Sequence, residues 1–264
     1  MLRLIVSDLD GTLMSQGQHE VPERYISLIQ DLYRQGVLFA VATGRSYADC
    51  RRLFAPVAGK IAYIVSDGAA VFCANQLVQK TPLHRETAMA LAADGYARRD
   101  VEVVLAGQYA SYCRPKTVSS QRWFRQRLHG HLRLVESYGQ VNEPVLKVSF
   151  YSGTDSASFQ GMSLFDQCAA RWQGKAQISY AANGWLELVA PGVEKGCALL
   201  CLLRHLGIPA DQCAAFGDHY NDRALFQTAG RSFAVKSAPE EIRALASSVC
   251  GDVEETVRAL LSLT

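Results

Sequence analysis

The chain opens on an apolar run that ends abruptly in charge: Leu4-Ile5-Val6-Ser7 is followed by Asp8-Leu9-Asp10-Gly11-Thr12. A short apolar run of this kind reads as a buried strand. The device recurs. Val37–Ala42 stops at Thr43-Gly44-Arg45, Ile61–Val65 at Ser66-Asp67-Gly68, and Cys213–Phe216 at Gly217-Asp218. Helical stretches lie between. After a polar loop with Gly17, Pro22 can occupy a first helical turn. Tyr25, Leu28, Ile29, Leu32 and Tyr33 then form one apolar face, and Gly36 suits a left-handed helix end. A further helix is expected from about Ser46 to Phe54, and a hairpin around Ala74-Asn75. Repeated strand–turn–helix units predict a doubly wound, Rossmann-like α/β core with a parallel sheet.

From about Thr81 the texture changes. A helix (Arg85–Arg98) mixes with strands (Val101–Leu105, Leu146–Tyr151, Gln177–Tyr180, Trp185–Val189) without strict alternation, which fits an α+β unit. Then the first texture resumes. Val193–His205 reads as a helix closed by Gly207, Tyr220–Ala229 as another, Phe233–Val235 as a strand, and Pro239 and Glu254–Leu263 as two last helices. The α/β pattern is interrupted and taken up again. The expected division is core 1–82, an inserted domain 83–189, and core 190–264.

The totals narrow the function. A formal net charge of +2 over 264 residues creates no global field to gather nucleic acid. No apolar run is long enough to span a membrane, and the strand beginning at residue 2 leaves no room for a signal peptide. The eight cysteines are scattered through mostly apolar runs with no Cys-x-x-Cys, which argues for reduced thiols in a cytoplasmic protein and against a disulfide framework. Cys197 and Cys201 lack a histidine pair, so zinc is not expected.

In an open parallel sheet, ligands bind beyond the carboxyl ends of the strands. Asp8, Asp10, Thr43 and Asp218 therefore fall at one edge. Residues two apart on a strand point to the same side, so Asp8 and Asp10 are expected to face together. Two close carboxylates repel unless a cation sits between them, and oxygen ligands beside a phosphate substrate suit Mg²⁺. Gly44 lets its backbone N–H approach an anion. Lys195 falls in the first turn of a helix, where the dipole disfavours a cation, unless the side chain reaches an anion. Asp218 and Asp222 share a face if a helix begins at once. Each signal has a plain alternative by itself: Asp-Gly as a turn, Thr43 or Asp218 as a helix cap, Lys195 as a solvated side chain. Together they read acid, acid, hydroxyl, lysine, acid along the edge of one sheet.

At Asp8-Leu9-Asp10-Gly11-Thr12, Thr43-Gly44-Arg45, Lys195-Gly196 and Gly217-Asp218-x-x-Asn221-Asp222, the chain resembles the haloacid dehalogenase superfamily of phosphatases. Motif order and spacing are similar to the Cof-like sugar phosphatases, whose α/β cap is inserted between the second and third motifs. The resemblance implies an Mg²⁺-dependent phosphomonoester hydrolase acting on a small phosphorylated metabolite, as a monomer or homodimer. It implies Asp8 as the nucleophile that forms an aspartyl-phosphate, and Asp10 as general acid and then base, with Lys195 neutralising charge. Asp8, the backbone carbonyl of Asp10, and Asp218 would hold the metal. Leu9, Thr43, Gly44, Lys195 and Asn221 would hold the phosphate, and Asp222 would orient metal water or Lys195. Other readings are a phosphohexomutase-type phosphotransferase of the same fold, and a phosphate-binding regulatory protein with little turnover.

Two positions depart from the family pattern. Asp67-Gly68 stands where Asn-Gly is usual, and is expected to close a turn. Ser237-Ala238 stands where Asn-Ala is common. In the inserted segment, Val103–Val135 carries no acid but holds Arg114, Lys116, Arg122, Arg125, Arg127, His129, His131 and Arg133. The expectation is a solvated basic helix with Trp123, Phe124 and Leu128 packed inward, rather than an anion- or nucleic-acid-binding face. Trp185 and Asn183-Gly184 lie near the return linker.

Overall fold

The computed structural model describes residues 1–15, 18–128, 132–152, 160–181 and 184–262. Gly17, His129, His131 and Asn183 lie outside them. The chain divides into two compact units. One comprises Met1–Arg45, Cys50–Lys80 and Glu194–Thr264; the other comprises Ser46–Asp49 and Thr81–Val193.

The first unit begins β1 (Leu4–Ser7), α1 (Glu23–Arg34), β2 (Leu38–Ala42), α2 (Tyr47–Leu53), β3 (Ile61–Val65), β4 (Ala70–Cys73) and β5 (Gln76–Lys80). The inserted unit contains α3 (Arg85–Ala97), β6 (Glu102–Gly107), β7 (Ser111–Cys113), α4 (Val118–Arg127), β8 (Leu132–Leu134), β9 (Val145–Tyr151), α5 (Gln160–Trp172), β10 (Gln177–Ala181) and β11 (Trp185–Val189). The first unit resumes with α6 (Lys195–Leu206), β12 (Cys213–Gly217), α7 (Arg223–Thr228), β13 (Arg231–Val235), α8 (Glu240–Arg243), β14 (Ser248–Cys250) and α9 (Val253–Ser262).

In the first unit the sheet order is β14-β13-β12-β1-β2-β3-β4-β5. Strands β14 to β3 are parallel, and the β4–β5 hairpin adds an antiparallel edge. All four residues of β1 are buried, as expected of a parallel strand covered on both faces. The hairpin turn carries Ala74 at φ 49° and Asn75 at φ 63°, the left-handed pair that matches strand twist. α1 starts after Pro22 and buries Tyr25, Ile26, Leu28, Ile29 and Leu32, the four aliphatic side chains each contributing roughly 1.5–3 kcal/mol of burial. From β1 the chain winds outward through β2 and β3, and on its return through β12, β13 and β14 the other way. The switch point lies beside β1, and there the crevice of a doubly wound sheet opens.

The inserted unit is a six-stranded sheet, β10-β11-β9-β6-β7-β8, antiparallel except for β7 and β8. One sheet face buries Val103, Leu105, Val148, Phe150, Leu186 and Leu188. α3 packs on it so closely that Gly95 leaves no room for a Cβ beside Phe150 and Val103. The other face carries a buried ion pair, Lys147 Nζ to Glu187 Oε2 at 3.1 Å, with the Ser149 hydroxyl donating to the same carboxylate. Thr117 and Ser120 cap α4 reciprocally. Phe124 is buried, and Trp123 stacks on Tyr151 with centroids 4.3 Å apart and planes 12° from parallel. Trp185 and Leu128 join this cluster, so these rings pack inward. Among the described residues no helix is long and apolar enough to cross a membrane.

Candidate active site

Four loops of the first unit meet at the carboxyl edge of neighbouring strands. They come after β1, β2, β3 and β12, and they carry Asp8–Thr12, Thr43–Arg45, Ser66–Gly68 and Asp218–Asp222. The start of α6 adds Lys195.

Lys195 is 1% exposed. Its Nζ donates to Asp8 Oδ1 at 2.6 Å and to Asp222 Oδ1 at 2.7 Å. The cation placed against the helix dipole is therefore held by two buried carboxylates. Burial alone would lower the Lys195 pKa, but Asp222 and Asp8 outweigh it and hold the ammonium protonated. Asp8 is pushed well upward by burial, with Asp222 and Asp218 adding to the push and Lys195 opposing it. Burial likewise raises Asp218, against the Thr12 hydroxyl, which donates to Asp218 Oδ1 at 2.7 Å.

β1 ends at Ser7, so strand alternation does not reach Asp8 or Asp10. The alternation behind the sequence expectation therefore does not apply, and the two carboxylates have different surroundings. Asp8 is buried against Lys195. Asp10 is exposed, and Arg45 grips it with both arms of its guanidinium, Nε to Oδ2 at 2.8 Å and NH2 to Oδ1 at 2.6 Å. Nor does an α-helix begin at Asp218. A 3₁₀ turn, Tyr220–Asp222, precedes α7, so Asp218 and Asp222 share no helical face. Asp222 folds back instead, and its Oδ2 accepts from the N–H of Asp218 at 3.0 Å and of His219 at 3.1 Å. This needs a bare Cα at Gly217, where a Cβ would stand 2.6 Å from the Asp222 carboxyl carbon.

Thr43 is buried, and its hydroxyl accepts from the Arg45 N–H at 3.2 Å. Leu9 is buried, and its carbonyl accepts from the N–H groups of Leu13 and Met14. Asn221 Nδ2 donates to Asp67 Oδ1 at 3.3 Å, so Asp67 belongs to this constellation as well as to a turn. Sequence reasoning singled out neither Thr12 nor Arg45 as a functional side chain. The signal for both was present, since Thr12 closes the first motif and Arg45 the second.

Carboxylate oxygens of Asp8, Asp218 and Asp222 lie within 4.8 Å of one another. Crowded, buried and all-oxygen, this donor set fits a small hard divalent cation such as Mg²⁺. Asp222 already accepts from Lys195 and two backbone N–H groups, which leaves Asp8 and Asp218 as the carboxylates better placed to bind metal.

The family model for haloacid dehalogenase-like hydrolases matches residues 5–258. An Escherichia coli K12 protein, 5-amino-6-(5-phospho-D-ribitylamino)uracil phosphatase, is 25% identical over 258 residues, 95% of this chain and 91% of its own. An HMP-PP phosphatase from Cronobacter sakazakii is 26% identical over 255 residues, 92% of this chain and 88% of its own. A solved sugar phosphatase of haloacid dehalogenase subclass IIB superposes with a TM-score of 0.81 at 20% identity, covering 98% of both chains. This likeness extends over both units. The chain is an enzyme of the haloacid dehalogenase-like hydrolase family.

Proposed function

We propose that this enzyme is a Mg²⁺-dependent phosphomonoesterase that passes the phosphoryl group of a small, sugar-like metabolite through Asp8. The observation that carries the reading is the buried Lys195 ammonium shared by Asp8 and Asp222 beside Asp218. A carboxylate attacks a phosphate dianion poorly because like charges repel, so a nucleophilic aspartate needs fixed positive charge around it. Lys195 supplies part of that charge, and Asp222 fixes its direction. Asp8, Asp218 and the backbone carbonyl of Asp10 would hold Mg²⁺, whose charge offsets that of the phosphoryl oxygens when bound.

In the first step an Asp8 oxygen forms a bond to phosphorus as the bond to the ester oxygen breaks. Asp10 gives that oxygen its proton. In the second step Asp10 takes a proton from water, whose oxygen attacks phosphorus and frees Asp8. Leu9, Thr43, Gly44 and Asn221 would hold phosphoryl oxygens in place. Positioning and charge neutralisation supply most of the rate in such reactions. The two phosphatase relatives are named for small phosphorylated metabolites. At this identity the substrate class carries over, and the compound does not. Free thiols at all eight cysteines suit a reducing compartment, and we place the enzyme in the cytoplasm.

The test is release of inorganic phosphate from a panel of sugar phosphates and an aryl phosphate, with Mg²⁺ and with excess chelator. Metal-dependent release is expected, and Asp8→Asn is expected to abolish it. Isomerisation of a hexose phosphate without release would instead support a mutase.

A further inference from the structure

Among the described residues, Asp67 is the carboxylate at this edge that the proposed reaction does not use. β3 ends at Val65, and the next three residues all take left-handed backbone, Ser66 at φ 51°, Asp67 at φ 59° and Gly68 at φ 102°. Aspartate tolerates that region better than most residues, but two non-glycine residues in succession there mark a conformation held by its surroundings. The holding contacts come from the loop after β2. Ser66 N–H donates to the Arg45 carbonyl at 3.0 Å, and Asp67 N–H to the Thr43 carbonyl at 3.1 Å. The outcome is a buried carboxylate. It accepts from Asn221 Nδ2, and each of its oxygens lies 3.1 Å from where a Cβ of Gly44 would stand. Gly44 and Asn221 are two of the neutral residues proposed above to hold phosphoryl oxygens. The Asp67 charge also reaches Lys195, where it favours the protonated form.

We propose that Asp67 is a specificity-determining residue whose carboxylate, set against Gly44 and Asn221, discriminates by charge against diphosphates and in favour of monophosphate esters. The inference rests on the reading of this edge as a phosphoryl site. Five carboxylates, of Asp8, Asp10, Asp67, Asp218 and Asp222, face the cations of Lys195 and Arg45. Asp67 sets its negative charge beside groups that would hold phosphoryl oxygens, whether or not Asp10 carries its proton. Specificity then comes from repulsion, which grows with the ligand's own charge. A singly phosphorylated ligand tolerates it, and a pyrophosphoryl group tolerates it less.

The experiment is calorimetric titration of inorganic phosphate and of pyrophosphate into the full chain with excess Mg²⁺. Wild type is compared with Asp67→Asn and Asp67→Gly. Asparagine keeps the size, and glycine suits the left-handed turn, so at least one variant should retain the native melting transition. Both variants are expected to bind phosphate on the order of tenfold more tightly, as removal of one nearby charge implies, and pyrophosphate to gain by a larger factor. Unchanged or weaker affinity in the folded variants would overturn the inference and leave the phosphatase reading standing, because wild type would still bind phosphate. An equal gain for the two ligands would also overturn it. Absence of phosphate binding in wild type and variants alike would overturn the site reading itself, and the inference with it.

Discussion

Removing the ammonium of Lys195 would leave Asp8 and Asp222 facing each other in a site that water barely reaches. Breaking a buried pair from one side costs about 3–5 kcal/mol, because the remaining charges lose their partner. Lys195→Ala is therefore expected to lower stability by that order in denaturant unfolding. Phosphate release should fall to background under conditions where the variant remains folded. Asp8→Asn should leave the fold in place at nearly constant volume and still stop turnover, so the two variants separate a structural role from a chemical one. Asp8, Lys195, Asp218 and Asp222 were all legible as members of one edge, because each stands where a strand ends or a helix begins. What was not legible was who meets whom. Arg45 binds Asp10 from 35 residues away, Asn221 reaches Asp67 from 154, and Thr12 reaches Asp218 from 206. Such partners are set by the order of strands in the sheet and leave no local pattern. Strand alternation had no bearing on Asp8 and Asp10, because the strand had already ended.

The elements that frame the site are packed to tolerances of single atoms. α6 and α7 approach at Gly196, where a Cβ would overlap the carbonyl oxygen of Ala224. A backbone carbonyl cannot swing aside as a side chain can. Gly196→Ala is expected to cost about 1–3 kcal/mol by overpacking, read as a lowered thermal midpoint. It should also lower phosphate release, since Lys195 is the neighbouring residue. At this scale the parallel strands were the easiest elements to find, because burial on both faces writes them as continuous apolar runs. The strands β7, β8 and β14 were missed. Each has three residues, too few to show a period of two. The helix expected over Tyr220–Ala229 divides into a 3₁₀ turn and the six residues of α7, because the Asp222 side chain turns back to satisfy N–H groups ahead of it.

The whole molecule is one α/β unit interrupted by another unit with its own sheet and core. The change of texture near Thr81 and its later reversal led to the expectation of an insert over 83–189, beside which the second compact unit comprises Ser46–Asp49 and Thr81–Val193, while the internal order of that unit was not legible. That order depends on antiparallel pairings such as β9 with β11, which no motif marks. The core of the inserted unit includes Phe124, packed with Val104 and Cys113 under the Trp123–Tyr151 stack. Phe124→Ala is expected to destabilise the protein by about 3–5 kcal/mol, measured by calorimetry, without altering any residue of the Asp8 edge. The central claim concerns that edge, where a buried aspartate is to carry the phosphoryl group. The most direct measurement is a rapid acid quench of Asp10→Asn during turnover of a sugar phosphate with Mg²⁺, followed by peptide mass spectrometry. Asp10→Asn should slow hydrolysis of the adduct more than its formation, so the account expects one added phosphoryl group on the peptide that contains Asp8. Steady release of phosphate with no adduct on Asp8 at any time would contradict it, and would mean that water attacks the substrate directly.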